Sequence, residues 1–490
     1  MIPAKNNLQA RGLWLGFAFV FLWSLYRALS GEGWALDDEL AHFSISLSVW
    51  DDPKQLLHLW TRPGRNLLEF WPTIFGLKAT RVWVLLLAML AVWLTVAEGR
   101  RLKMASLWAL PLLIGFQCWF PELAASVLTQ TPFMLAWIAG VFFAARGRLV
   151  WAALCWGSLG LIRHEGIALS GLWGLWVIFG PDGFARLALQ KHWQKVPRAF
   201  VKAAWLGFWT FFPNIVMNVA TRITTGEWPF LIFLDEKPTT LYGSGSLFHF
   251  VPLIIIGAGL PVLILALMGF RKPRFEPWQN VLYWTYPLYF LLHSVIFWRG
   301  LFASGGYYHF LMPMAPWIGL SALRGIEKWH PQWRAAAVAS VFFFGLLLPQ
   351  EQLNPRDAHI DGIPKKSTEL DRIKAMRFPA PPTYLSEFQT GLLRAAENLD
   401  LSLKKDQPWL APHAAVPFLR KKKTGLFLEP SHFVTAEQKA QTPAGTMLVW
   451  DALYAPQEAY DWDLNRLRDE TKWREVCEYA HGTVRIFIKL

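Results

Sequence analysis

The sequence is poor in cysteine and in charge. Only three of its 490 residues are cysteine, and two of them, Cys118 and Cys155, lie within apolar runs. Three such residues do not make the disulfide framework of a small secreted domain, so cysteine usage leaves the compartment undecided. Charged residues make up 17% of the chain and hydrophobic residues 54%, which is unusual for a soluble globular protein.

Positive charges outnumber negative charges, which gives a formal net charge of +13. A basic chain suggests nucleic acid, but here the lysines and arginines form no single tract or face. They stand between apolar runs, as they do in the loops of membrane proteins. We therefore expect membrane lipids as partners and no nucleic acid.

The apolar runs predict an α-helical polytopic membrane protein of about eleven spans. The first run also resembles a signal sequence, with "ALS" at 28–30 as a cleavage site, but an uncleaved span is favoured. The predicted spans are 12–30, 80–97, 105–120, 127–145, 149–162, 166–180, 203–221, 250–270, 279–298, 307–323 and 335–350.

The distribution of basic residues predicts the orientation. With the N-terminus in the cytoplasm, the inner loops hold about twice as many lysines and arginines as the outer loops. An odd number of spans then exports residues 351–490. The sequence therefore predicts an integral plasma (inner) membrane protein with a transmembrane domain over 1–350 and an extracytoplasmic C-terminal domain over 351–490.

That tail is predicted to be a small soluble α/β domain. "TMLVWD" (446–451) and "TVRIFIKL" (483–490) read as strands, and "LNRLRDETKWREV" (464–476) reads as an amphipathic helix between them.

Acidic residues gather on the predicted outer side, first of all in the loop 31–79. Its stretch "WALDDELAHFS" carries Asp37, Asp38 and Glu39. Crowded carboxylates repel one another, which raises at least one pKa and favours proton acceptance. A solvated loop with Asp38 as a helix N-cap explains the same residues equally well. The following segment fits a helix or a short strand, with the helix favoured.

Three further stretches put charge near the outer membrane boundary, where ionisable side chains are costly. "GLIRHEG" (160–166) contains Arg163, His164 and Glu165 at the tip of two short apolar runs, where a plain ion pair is the alternative explanation. "WRGLFASGGYYHFLMP" (298–313) and "TRPGRNLLEF" (61–70) are the others. Their candidate residues are Arg299, Tyr308, His309, Arg62 and Arg65.

Together these features resemble the GT-C superfamily of integral-membrane glycosyltransferases, which use polyprenyl-phosphate sugars. Its members include protein O-mannosyltransferases, the aminoarabinose transferase of lipid A and dolichyl-phosphate-mannose mannosyltransferases. The resemblance is carried by "ALDDELAHF" in the first outer loop, "LIRHEG", "PELAASVLTQTPFMLAWIAG" (121–140) and "YYHFLMPMAP". It covers residues 1–350. The sequence departs at "YYH", where His309 stands in place of a frequent arginine.

The resemblance implies an inverting transfer of a sugar from a polyprenyl-phosphate donor to an outer acceptor. Asp38 would be the general base, with Asp37 and Glu39 beside it. Arg163 and Arg299 would hold the phosphate, with Arg62 and Arg65 in reserve, and His309 and Tyr308 as further contacts. Supporting roles would fall to Glu165, His164 and Glu122.

The implied reaction requires no cofactor, although Glu39, Asp37 and Glu122 leave room for a divalent metal, Mg²⁺ or Mn²⁺. The acceptor, whether glycan, lipid or protein, and the sugar itself stay open. Three alternatives remain: a transporter or flippase for a lipid-linked sugar, a ligase or polymerase with a lipid-diphosphate donor, and a receptor or assembly factor anchored by its spans.

Overall fold

A computed structural model describes most of the chain. The described residues are 4–31, 34, 37–226, 228–229, 244–270, 283–301, 306–347, 387–420, 424–428, 430–433, 435–456, 460–469 and 472–490. They fall into two compact units. The first contains the described residues of Met1–Leu29 and Ile45–Gln350, and the second those of Ser30–Ser44 and Pro382–Leu490. The predicted domain boundary after residue 350 stays a prediction.

The first unit is helical throughout its described residues, apart from turns. One helix, α2, begins in the second unit and ends in the first. The helices are α1 (Ala4–Ser30), α2 (Asp37–Ser48), α3 (Pro63–Glu69), α4 (Leu77–Arg101), α5 (Leu110–Gly115), α6 (Phe120–Leu123), α7 (Gln130–Ala144), α8 (Leu149–Ile162), α9 (Gly166–Phe179), α10 (Phe184–Leu189), α11 (Val196–Thr225), α12 (Phe250–Ala258), α13 (Leu260–Phe270), α14 (Thr285–Arg299), α15 (Ala315–Glu327) and α16 (Pro331–Leu347). Short 3₁₀ helices cover Pro53–Leu57, Trp71–Phe75, Leu107–Ala109, Trp193–Lys195 and Tyr308–Met314.

Some of these helices are long enough to cross a bilayer. Among the described residues, Gln9–Ser30, Leu77–Arg101 and Gly166–Leu189 have the length and hydropathy of spans. The pair α12 and α13 makes a fourth if a bend of 106° at Gly259 counts as a break within one span. The predicted count of eleven spans is not confirmed and stays a prediction.

Close helix contacts in the first unit depend on glycine. A Cβ atom on Gly325 of α15 would lie 1.9 Å from the backbone oxygen of Leu265 in α13. A Cβ on Gly269 of α13 would lie 1.8 Å from the oxygen of Ser321 in α15. The two helices therefore approach backbone to backbone, the close packing that small residues allow between apolar helices.

Large aromatic side chains fill the core of this unit. Trp137, Trp156 and Trp173 are fully buried or nearly so. Two of them place their indole N–H on hydroxyls of other helices: Trp137 donates to Thr285 at 3.0 Å, and Trp173 donates to Thr210 at 3.0 Å. Buried indoles need such partners, so the polar tips cross-link helices that are distant in sequence.

The second unit is an α/β structure built on one sheet. Its helices are α17 (Glu387–Ser402), α18 (Ala415–Leu419), α19 (Ala436–Ala440) and α20 (Leu464–Asp469), with 3₁₀ helices at Pro430–His432 and Ala480–Gly482. Its strands are β1 (Pro408–Leu410), β2 (Leu426–Phe427), β3 (Met447–Asp451), β4 (Trp473–Tyr479) and β5 (Val484–Lys489).

The sheet has the strand order β2-β1-β3-β5-β4. Strand β1 pairs in parallel with β2 and β3, whereas β5 pairs antiparallel with β3 and β4. Both predicted strands, 446–451 and 483–490, are confirmed as β3 and β5. Strand β3 is buried along its whole length.

The predicted helix over 464–476 is wrong in its second half. Helix α20 ends at Asp469, and Trp473 begins a strand that pairs with β5. The segment from Trp473 to Tyr479 alternates between more buried and more exposed side chains, and Trp473 joins the apolar core of the sheet. Tertiary pairing therefore outweighs the local helical pattern in this segment.

Candidate active site

The turn between α8 and α9 forms a buried ionic cluster around Arg163. The guanidinium donates from Nη2 to Glu165 Oε1 at 3.0 Å and from Nε to Oε2 at 3.3 Å. Its Nη1 donates to the hydroxyl of Thr129 at 2.8 Å, and its face lies 4.8 Å from the ring of Phe310. Arg163 is only 8% exposed. A fork of this kind holds a carboxylate, and it matches phosphate geometry equally well.

Residues of helix α14, which is distant from this turn in sequence, complete the cluster. His293 Nε2 lies 3.4 Å from Glu165 Oε1, and the side chain is fully buried. Tyr289, one turn earlier, donates its hydroxyl to the backbone oxygen of Phe310 at 3.0 Å. The Glu165 carboxylate thus stands between an arginine and a histidine.

Arg62 brings a second cation to the same turn. It lies at the start of α3 with a φ of 71°, a left-handed conformation that is uncommon outside glycine. Its Nη1 donates to the backbone oxygen of Leu59 at 2.9 Å, and its Nη2 lies 3.3 Å from His164 Nδ1. Backbone strain of this kind is often found at functional sites.

A small cavity opens beside Arg62. It holds about 100 Å³ and is lined on one side by Gly160 and Leu161 of α8 and on another by Asn214 of α11. Arg62 is thus close to both the charged turn and an apolar wall.

The pKa values of His164 and Glu165 are both lowered in this turn, for different reasons. Burial, reinforced by the charge of Arg62, lowers the pKa of His164 to about 3, so this side chain is neutral at pH 7. Burial alone would raise the pKa of the Glu165 carboxyl. The charges of Arg163 and His293, together with hydrogen bonds from Arg163, outweigh burial and hold that pKa well below its usual range.

Other predicted phosphate ligands lie in different surroundings. Arg65 is completely buried in α3, where it donates to Glu69 at 2.7 Å and to Asn66 at 3.0 Å. Arg299 is exposed at the end of α14, with its guanidinium 5.3 Å from the ring of Trp298.

Tyr308 and His309 begin the 3₁₀ helix Tyr308–Met314, and both side chains are buried. The ring of His309 lies 4.5 Å from that of Phe310, which is the same residue that faces Arg163. His309 therefore shares an aromatic neighbour with the arginine cluster. Gly306 precedes them with a φ of 68°, and its backbone oxygen lies 2.8 Å from His249 Nε2.

Glu122 lies in a separate buried pair, with Oε2 4.0 Å from Arg27 Nη2. Both side chains are less than one-tenth exposed.

The acidic triplet opens helix α2, which confirms the helical reading of the segment after it. Asp38 is partly exposed, and Glu39 is fully buried. These residues belong to the second unit, in which Phe43 packs edge-on against Phe418 with ring centroids 5.5 Å apart. The loop predicted over 31–79 is therefore divided between the two units.

The structure brings together Arg163, His164, Glu165 and Arg62, and it adds three residues that sequence reasoning missed: Thr129, Tyr289 and His293. His293 did carry a signal, because an ionisable residue inside an apolar run is a candidate for function. The roles predicted for all these residues stay predictions. In the part of the chain that is described, no three His, Cys, Asp or Glu side chains are grouped to hold a metal.

Comparison with solved structures identifies the fold. The chain is similar to ArnT from Cupriavidus metallidurans in the apo state, with a TM-score of 0.62 at 14% identity, over 97% of this chain and 98% of that chain. The same protein bound to undecaprenyl phosphate gives a TM-score of 0.61 at 14% identity, with the same coverage. A weaker similarity, with a TM-score of 0.47 at 13% identity, relates 98% of this chain to 40% of the mycobacterial arabinofuranosyltransferase AftD. No family model and no curated protein sequence matches the chain.

The chain thus has the fold of ArnT along nearly its whole length.

Proposed function

We propose that this protein is a membrane glycosyltransferase that moves a sugar from a polyprenyl-phosphate carrier to an extracytoplasmic acceptor. The observation that carries the proposal is the similarity of fold to ArnT, which has been crystallised with undecaprenyl phosphate. It extends over 98% of that chain, so the likeness is not limited to a few shared helices.

The cluster around Arg163 supports a site for the donor phosphate. Arg163 is buried and its guanidinium is held in one orientation by Glu165, so a phosphate that shares or displaces this carboxylate meets an oriented cation. Arg62 contacts His164 of the same turn, and it also lines the nearby cavity. Arg299, Arg65, His309 and Tyr308 remain further candidates, with Glu165 and His164 as positioning residues.

The proposed reaction is a single displacement with inversion. The Asp38 carboxylate accepts the proton of an acceptor hydroxyl while that oxygen forms a bond to the anomeric carbon. The bond between the anomeric carbon and the phosphate oxygen breaks, and the polyprenyl phosphate leaves with the bonding pair. Arginine stabilises the charge that develops on the departing phosphate.

The test is a transfer assay with purified protein and a panel of radiolabelled polyprenyl-phospho-sugars. We expect one donor to be consumed, and we expect Asp38→Asn to lower the rate by at least about 10²-fold, the contribution of a general base. Asp51→Asn is the control, because it removes an exposed carboxylate from the same predicted loop. Full activity in Asp38→Asn would move the base to Asp37, and activity in both single variants would reject the site.

A further inference from the structure

A cavity of about 420 Å³ lies in the second unit, and none of the candidate residues of the transfer site lines it. Its walls are the end of α19, the chain just before α20 and the start of β4. Pockets that hold small molecules begin at about 300 Å³. The cavity is therefore large enough for a ligand of the size of a monosaccharide derivative.

The charges that line this cavity are mainly positive. Two carboxylates, Asp461 and Asp463, face four cations. The cations are Lys439, Arg466, Lys472 and Lys489.

Two of these cations are held in place by the fold. Lys489 is 7% exposed, and its ammonium donates to the backbone oxygens of Lys439 at 3.2 Å, Ala440 at 2.8 Å and Thr442 at 2.6 Å, which uses its three N–H groups. Lys439 Nζ lies 3.2 Å from Asp461 Oδ2.

Arg466 and Lys472 are the outer cations. Arg466 reaches Asp461 at 3.6 Å with a side chain that is 69% exposed, and Lys472 is exposed. The cavity thus combines one buried and one partly buried cation in its wall with two exposed cations, an arrangement that attracts an anion.

The apolar part of the wall is aromatic. Trp462 and Trp473 line the cavity with ring centroids 5.6 Å apart. Both rings are largely buried, with Trp462 2% and Trp473 7% exposed, so they form a fixed apolar wall.

We propose that this cavity binds an anionic saccharide, a sugar ring that carries a phosphate or a carboxylate. Arg466 and Lys472 pair with the anion, Lys439 and Lys489 add to the positive potential, and the sugar ring lies in the cavity beside the wall of Trp462 and Trp473. This site is independent of the transfer reaction proposed above, and its occupancy does not require Asp38.

The test measures binding to the full chain in detergent by isothermal titration, with glucose 1-phosphate and glucuronate as probes. Binding of the first alone indicates a phosphate ligand, and binding of both indicates any anionic sugar; either supports the proposal. We expect glucose and inorganic phosphate to bind at least tenfold more weakly, because each lacks half of the recognised chemistry. Asp38→Asn should bind as well as the unchanged protein even though it fails in transfer.

The double variant Arg466→Gln/Lys472→Gln should weaken glucose 1-phosphate binding by about tenfold or more, as expected for the loss of hydrogen bonds to a charged group. Lys404→Gln/Lys405→Gln removes the same charge from exposed positions outside the cavity and should leave binding unchanged. Lys472→Glu changes the charge by the same two units at a single exposed position and should also weaken binding. Equal losses in the control pair, or equal affinity for glucose 1-phosphate and inorganic phosphate, would overturn the proposal. So would the absence of heat with every probe.

Discussion

At the candidate donor site, Arg163 is paired with the carboxylate of Glu165. In the structure its fork is occupied by Glu165 and Thr129, and His293 approaches the same carboxylate. A phosphate that binds here must share the guanidinium with Glu165 or displace it. The carboxylate therefore keeps the buried cation paired when no donor is present, which avoids the cost of an isolated charge.

This pairing predicts a large stability effect for Glu165→Gln. The amide keeps the shape but removes the charge, so Arg163 is left buried and unneutralised, at a cost on the order of 3 kcal/mol in the free energy of unfolding. Asp182→Asn breaks the exposed pair with Lys202 and is the matched control, with an expected cost below about 1 kcal/mol. Denaturant unfolding in detergent measures both. Equal losses of unfolding free energy in the two variants would show that burial does not raise the cost of breaking the Arg163–Glu165 pair.

The same turn predicts loss of stability in acid. The unfolded chain protonates His164 near pH 6.5, whereas the folded protein does so only near pH 3. Between these values the unfolded state binds more protons, so the free energy of unfolding falls as the pH falls. Glu165 acts in the same direction below about pH 4.5, where the carboxyl of the unfolded chain takes up its proton, because its pKa in the folded protein is lower.

His164→Gln should flatten the part of this profile between pH 6.5 and about 5, where the carboxyl of Glu165 does not yet titrate. His192→Gln, at an exposed position, is the control and should leave the slope unchanged. Thermal unfolding across about pH 4 to 7.5 provides the measurement. A wild-type slope retained in His164→Gln would mean that other groups control the acid response.

The local sequence pattern predicted several helix boundaries, turns and strands. The charged tip at 163–165 separates α8 from α9 as expected, and the strands at 446–451 and 483–490 are present. The residues that complete the tip were not predictable, because Thr129 and His293 come from other helices and only packing brings them there. The mistaken helix over 473–476 has the same origin, since strand pairing with β5 is non-local.

The close contact between α13 and α15 predicts a loss of stability when a side chain is added there. Gly325→Ala places a methyl group 1.9 Å from the backbone oxygen of Leu265, so α13 and α15 must separate, at a cost of about 1–3 kcal/mol. Gly174→Ala in α9 is the control, because no atom lies within 4 Å of its added Cβ, and alanine there should stabilise the helix slightly. Thermal unfolding in detergent compares the two. A neutral Gly325→Ala would show that the helices are not closely packed.

For the molecule as a whole, composition indicated a mostly helical fold, and the structure is helical and similar in fold to ArnT over 97% of the chain. The division of the chain could not be predicted in the same way. Residues 30–44 group with the C-terminal part, from which more than 300 residues separate them in sequence. That grouping depends on contacts such as Phe43 with Phe418 and the Gln389 amide with the Trp34 backbone oxygen, at 3.1 Å, which no local pattern reveals.

Reporter fusions can test the predicted orientation of the chain in the membrane. Basic residues are about twice as frequent in the predicted inner loops, and retention of those loops in the cytoplasm places the C-terminal unit outside. Alkaline phosphatase, which is active only after export, should therefore be active when fused after Leu490 and inactive when fused after Lys103. Green fluorescent protein fused at the same two positions should give the opposite pattern. An inactive phosphatase after Leu490 would place the C-terminal unit in the cytoplasm, and with it the acidic triplet that belongs to the same unit. A base on that side could not act on an extracytoplasmic acceptor.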